Sequence, residues 1–266
     1  MTPVDIIKGE GPIILAMPHT GLYVPDDIYA RFNDIGRELS DTDWHIDRLY
    51  TGLLPNATMV RANFHRYLID PNRDPLGTSL YPGQNTTGLC PLINFDGVSI
   101  YGKGQAPDTD EIERRRKTYH APYHAALAAE IERVKARHGI AVLYDCHSIR
   151  SHVPYLFDGA LPDFNIGTKT GETCAAAIQK TVADICGQAG GYSYVENGRF
   201  KGGWTTRHYG QPDKGVHAIQ MELSQINYMQ EFAPWNYIDS NAKALRAVLK
   251  RILQTLETRI LKGDIT

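Results

Sequence analysis

Three short apolar runs, each followed within a few positions by a His or Glu, set the strongest constraint on how this chain can fold. They are Pro12-Ile-Ile-Leu-Ala-Met17, Ile140-Ala-Val-Leu-Tyr144 and His217-Ala-Ile-Gln-Met221. An apolar run of that length bounded by turn residues reads as a strand buried on both faces. Helical patterns separate the runs. Ser40 to Leu54 has near-helical spacing, with Ser40 or Asp41 as cap and Asp43 in the first turn. Asp108 to His138 is the longest helical stretch; Pro122 must start or kink it, and Gly139 ends it. An Ala-rich helix at residues 170–188 and an amphipathic one from Ala242 to Leu261 complete the set. Strands alternating with helices imply an α/β fold with a largely parallel sheet covered on both faces. Ligands of such sheets sit beyond the carboxyl ends of the strands. His19, His147 and Glu222 each fall one to three residues past an expected strand end, so three strands would aim reactive side chains at one edge.

Between these landmarks, Thr58 to Ile69 suits strands around Asn63, and Asp70-Pro-Asn-Arg-Asp-Pro75 is a polar loop. Residues 76–108, rich in Gly, Pro, Thr and Asn, form a long aperiodic segment that we expect to cover a site. Leu161 to Asn165 reads as loop, Tyr192 to Val195 as strand, and Gly198 to Gly210 as a glycine-rich polar turn region. There is no internal repeat. A length of 266 residues is expected to form a single domain over residues 1–266.

With 28 basic and 30 acidic side chains the net charge is −2, which gives no field for nucleic acid or an anionic membrane. The run Arg114 to Lys117 follows Glu111 and Glu113 and reads as a solvated helix face. The partner expected is a small molecule. No apolar run approaches the ~20 residues of a membrane-spanning helix, and Met1 to Glu10 has no signal-peptide pattern, so the expected location is cytoplasmic. Cys90, Cys146, Cys174 and Cys186 contain no C-x-x-C pair and indicate neither disulfides nor a cysteine zinc site.

A hydrolytic metal site needs about three protein ligands and an open position for water. His19 and His147 offer two imidazoles, and Asp43 a carboxylate, with His45 as its competitor. Glu222 is then left as general base. The plainer reading makes each His a hydrogen-bonded strand end and Asp43 a helix cap. Arg66 and the pair Asn72-Arg73 could clamp a substrate carboxylate, or could pair with Asp70 or Asp74. His120 and His124 are spaced i, i+4, but Ala121 stands where an H-E-x-x-H motif needs Glu; packing or substrate contact fits them better. A serine hydrolase is excluded by the absence of G-x-S-x-G. Gly198-Arg-Phe-Lys-Gly-Gly203 lacks the Lys-Ser/Thr end of a phosphate loop.

Together, Pro18-His-Thr-Gly21, Asp43-Trp-His-Ile-Asp47, Arg66-Tyr-Leu-Ile-Asp-Pro-Asn-Arg73, Pro122-Tyr-His124, Asp145-Cys-His-Ser148, Leu161-Pro-Asp-Phe-Asn165, Gly202-Gly203 with Thr206-Arg-His-Tyr-Gly210, and Glu222-Leu-Ser224 span nearly the whole chain. In this order they resemble the N-formylglutamate deformylase (N-formylglutamate amidohydrolase) family of bacterial histidine breakdown. The resemblance implies a distant zinc-carboxypeptidase kinship: a three-layer α/β/α fold with a mostly parallel mixed sheet and one zinc ion. It implies hydrolysis of N-formyl-L-glutamate to L-glutamate and formate, with His19, Asp43 and His147 as ligands, Glu222 as base and Arg66 steadying the oxyanion. Asn72 and Arg73 would hold one substrate carboxylate, and Arg207 with His208 the other. The departure is Leu22, where carboxypeptidases carry a Glu ligand three residues after the first His. Competing readings are a zinc deacylase or carboxypeptidase acting on another N-acyl amino acid, and a non-catalytic small-molecule binding protein.

Overall fold

The computed structural model describes residues 1–79 and 83–265. Among the described residues seven strands form one sheet: β1 (Val4–Ile7), β2 (Ile13–Met17), β3 (Thr58–Ala62), β4 (Ala141–Ile149), β5 (Phe164–Gly167), β6 (Tyr194–Glu196) and β7 (Val216–Ser224). Their order is β1-β3-β2-β4-β7-β5-β6. β3, β2, β4 and β7 are mutually parallel; β1 runs antiparallel to β3, and β5 antiparallel to β7. The sheet is therefore mixed with a parallel centre, as expected.

The helices are α1 (Asp26–Tyr29), α2 (Asp34–Arg37), α3 (Ile46–Tyr50), α4 (Thr109–Arg115), α5 (Ala121–His138), α6 (Ala176–Gly187), α7 (Trp204–Tyr209) and α8 (Asp239–Leu261). Side chains alternate across a strand, and the core divides accordingly. Ile13, Leu15, Val142, Tyr144, Ile219 and Met221 pack on one face with Ile178 of α6 and Leu249 of α8. Ile14, Ala16, Leu143 and Ala218 pack on the other with Leu127 and Ile131 of α5. The result is three layers, α/β/α.

Several expectations need correction. The helix expected from Ser40 shrinks to α3, because His45 adopts a left-handed backbone (φ 62°) at its start. Pro122 stands in the first turn of α5, as expected of a proline that starts a helix. α4 and α5 are joined by a π turn, Arg116–His120, whose wider ring accommodates the missing proline N–H. The segment around Leu161 to Asn165 ends in β5, and the polar turn region contains α7. In residues 76–108 the described part has no helix or strand beyond isolated bridges, and Leu80, Tyr81 and Pro82 lie outside the described residues. No helix among the described residues is long and apolar enough to cross a membrane.

Candidate active site

β4 and β7 both continue past their apolar runs and stay buried throughout their nine residues. His147 and Glu222 therefore lie inside strands, not beyond their ends as the sequence suggested. Parallel pairing sets Asp145 beside Gln220 and His147 beside Glu222. With a side-chain period of two, these four polar residues continue the face that Leu143 and Ala218 present to α5. His19 follows β2 by two residues, and its carbonyl accepts the Asp43 N–H at 3.1 Å, which pins the segment before α3 against it.

The structure brings His19, Asp43 and His147 together as a buried cluster of possible metal ligands. His19 Nδ1 lies 3.2 Å from His147 Nδ1 and 3.5 Å from Asp43 Oδ2, and His147 Nδ1 lies 3.2 Å from Asp43 Oδ2. A tetrahedral ion with bonds of about 2.0–2.1 Å separates its donors by roughly 3.3 Å, so these three edges suit such an ion. Asp43 Oδ1 is buried without a hydrogen-bond partner. His45 is turned away, with its Nε2 donating to the Trp235 carbonyl at 2.6 Å. Each imidazole is backed by a carboxylate: Asp70, which the sequence offered only as a partner for arginine, and Asp145, which it gave no role. His19 Nε2 donates to Asp70 Oδ1 at 2.7 Å, and His147 Nε2 lies 3.0 Å from Asp145 Oδ1. A carboxylate only accepts, so in the neutral His19 ring the Nδ1 lone pair faces the cluster. Asp145 Oδ2 in turn accepts from Thr206 Oγ1 at 3.0 Å.

Burial alone would raise Asp43, but the His19 and His147 rings overcome it and hold its carboxyl well below the usual range. Burial opposes protonation of His147, yet the Asp145 and Asp43 carboxylates keep it well above an ordinary histidine. Glu222 goes the other way: burial, helped by Asp43 and Asp145, pushes its carboxyl up to about 8 against the pull of His147 and Arg66. Gln220 Nε2 donates to Glu222 Oε2 at 3.0 Å, while Gln220 Oε1 accepts the Gly203 N–H at 2.6 Å, which fixes the direction of the amide.

His19, His147 and Glu222 line a cavity of about 70 Å3 together with Arg66, Asn72, Arg73, Phe95 and Arg199. Arg66 donates to Asp70 Oδ2 at 2.7 Å and stacks over Phe95 at 4.6 Å. Arg73 lies 3.5 Å from the same oxygen and donates to Thr87 O at 2.8 Å. The pairing with Asp70 is thus a buried network bordering the cavity, not a surface salt bridge. Asn72 Oδ1 accepts the Thr205 N–H at 2.9 Å, which turns its NH2 group toward His147 Nε2, 3.3 Å away on the cavity wall. Arg207 and His208 are not among the lining residues: Arg207 Nε donates to Gly202 O, and His208 stacks on Trp204. Arg199 was missed because it sits in a stretch read only as turn; its guanidinium is held by Leu156 O at 2.8 Å and Asn85 O at 2.9 Å. Asp145 and Gln220 carried a signal, since each lies two residues before a named site residue on the same strand face.

The profile of the N-formylglutamate amidohydrolase family matches residues 11–229. An N-formylglutamate deformylase of Pseudomonas aeruginosa is 46% identical over 250 residues, 94% of each chain. One of Pseudomonas putida is 44% identical, over 94% of this chain and 93% of its own. Among solved structures, an N-formylglutamate amidohydrolase from Ralstonia eutropha JMP134 superposes with a TM-score of 0.82 at 26% identity, covering 99% of this chain and all of the other (100%).

Proposed function

The chain belongs to the N-formylglutamate amidohydrolase family, and from that premise we propose that it hydrolyses N-formyl-L-glutamate to L-glutamate and formate with a zinc ion held by His19, Asp43 and His147. The observation that carries the metal is the triangle of donor atoms with edges of 3.2, 3.5 and 3.2 Å. Two imidazole nitrogens and one carboxylate are a donor set that suits zinc. When bound, the metal supplies Lewis-acid charge that acidifies water and polarises the formyl carbonyl.

Glu222 serves as the base. It takes a proton from the attacking water as the new C–O bond forms, and returns it to the amine nitrogen as the C–N bond breaks. Its raised affinity for a proton suits both halves of that transfer. Arg66, held in place by Asp70, offers its cation to the oxygen that gains charge. The Asn72 NH2 group and Arg73 hold one substrate carboxylate by charge-assisted hydrogen bonds. Arg199 from the cavity wall, or Arg207 with His208 after a shift of α7, receives the second. The substrate is accordingly a small acidic N-acyl amino acid.

The test is formate release from N-formyl-L-glutamate, measured with and without a strong chelator and with single metals restored. Release that stops with the chelator and returns with zinc is the expected result. Release indifferent to the chelator would sink the metal role. No release with zinc restored would move the substrate to another N-acyl amino acid.

A further inference from the structure

The sequence assigns His120 and His124 to packing or substrate contact, and neither lines the cavity. Both are nonetheless buried and directional. His120 Nε2 donates to the Arg73 carbonyl at 3.1 Å, and His124 Nε2 to the Pro71 carbonyl at 2.8 Å. These are the two carbonyls flanking Asn72. A carbonyl only accepts, so both rings carry their proton on Nε2, and His124 Nδ1 is left as an acceptor that shares the Tyr209 hydroxyl, at 3.0 Å, with the His124 carbonyl, at 3.2 Å.

We propose that His120 and His124 are positioning residues that fix the backbone of Pro71 to Arg73, so that Asn72 and Arg73 face the cavity as one preformed carboxylate clamp. The inference rests on the clamp reading of Asn72 and Arg73 given above. From the opposite side, Thr205 N–H holds Asn72 Oδ1, and the amide occupies the space a Cβ on Gly203 would need, 2.2 Å from Asn72 Nδ2. The segment is thus gripped on its backbone by one helix and on its side chain by another. The π turn, a feature found disproportionately at functional sites, ends on His120 itself.

Packing explains part of this arrangement. The two rings lie 4.4 Å apart and against Trp204. Packing does not require two hydrogen bonds aimed at the residues on either side of Asn72. Neutral rings suit the pattern, because His124 then donates at one nitrogen and accepts at the other. Burial supports that state, pushing His124 down to about 3 and lowering His120.

The experiment compares His124→Phe and His120→Phe, which keep an aromatic ring without a donor, with His124→Gln and His120→Gln, which keep a donor at nearly the same reach. All are assayed as full-length, metal-loaded enzyme. The Phe variants are expected to raise KM for N-formyl-L-glutamate roughly 10–100-fold, with kcat nearly unchanged and metal content intact. The Gln variants should recover most of the loss. In an Arg73→Ala background, the His124→Phe change should raise KM little further, since the clamp is already open. If the Phe variants do not fold, Tyr209→Phe removes the hydroxyl that orients His124 and should raise KM severalfold. Unchanged KM in folded Phe variants, equal KM for Phe and Gln, an additive effect with Arg73→Ala, or an inert Tyr209→Phe would each overturn the proposal. Asn72→Ala and Arg73→Ala run alongside: if these leave KM unchanged the clamp reading itself fails, whereas if they raise KM and the histidine variants do not, only the positioning role fails.

Discussion

At the scale of single residues, the site divides into groups that touch the chemistry and groups that aim them. Glu222→Gln keeps shape and the contact with Gln220 but cannot take a proton, so kcat is expected to fall about 10²–10⁴-fold while metal content stays at the wild-type level. Metal analysis beside steady-state kinetics checks both halves. Asp70 and Asp145 are both fully buried and each aims one imidazole. Asp70→Asn and Asp145→Asn should therefore weaken metal binding about 10–100-fold, read by competition with a chromogenic chelator. The two should differ in substrate binding. Asp70 also receives Arg66 and the Asn72 N–H, so its replacement should raise KM as well, whereas Asp145→Asn should not.

At the scale of elements, the parallel centre was legible because three apolar runs end in reactive residues, and that pattern placed His19, His147 and Glu222 on one side of the molecule. What could not be read was the length of β4 and β7. Their later residues mix polar and apolar types, and only the register between them shows that Asp145, His147, Gln220 and Glu222 still belong to the sheet. β5 and α7 escaped notice for a different reason: at four and six residues they are too short to display a period. Asp43 was chosen over His45 by chemistry alone. The left-handed backbone at His45, whose ring bonds the Trp235 carbonyl, leaves no mark in composition. The junction of α7 with the Asn72 loop carries its own prediction. Gly203 has an ordinary extended backbone, but an added Cβ would strike the Asn72 amide. Gly203→Ala is expected to raise KM at least about tenfold by displacing that amide, with a smaller fall in kcat, in a direct kinetic comparison with wild type.

At the scale of the whole molecule, two buried imidazoles tie stability to pH. Burial, with Arg66 nearby, pushes His65 from 6.5 down to about 3, and burial, with His120 nearby, does the same to His124. A histidine whose folded pKa is lowered takes its proton more readily when unfolded. Its contribution to stability is therefore intact above about pH 6.5 and lost as pH falls toward 3, at up to about 1.4 kcal/mol per pH unit per ring. Denaturant titrations between pH 7 and 4 should show that slope, and His124→Gln should flatten part of it. Metal acts in the opposite sense: at a free concentration about 100 times its Kd it should add about 2.7 kcal/mol, enough to raise Tm by roughly 5–10 °C, and a chelator should reverse the gain. The strand order has a further consequence for how the chain is made. β7 is the last strand to leave the ribosome, yet its place is in the middle of the sheet, between β4 and β5. A nascent chain that stops short of it already holds His19, Asp43 and His147 but leaves β4 and β5 with open edges facing each other. Such a chain carries the proposed metal ligands without the proposed base, and it cannot close its sheet. Assembly is therefore expected to wait until synthesis is nearly complete, and fragments ending before Val216 should aggregate through those two edges.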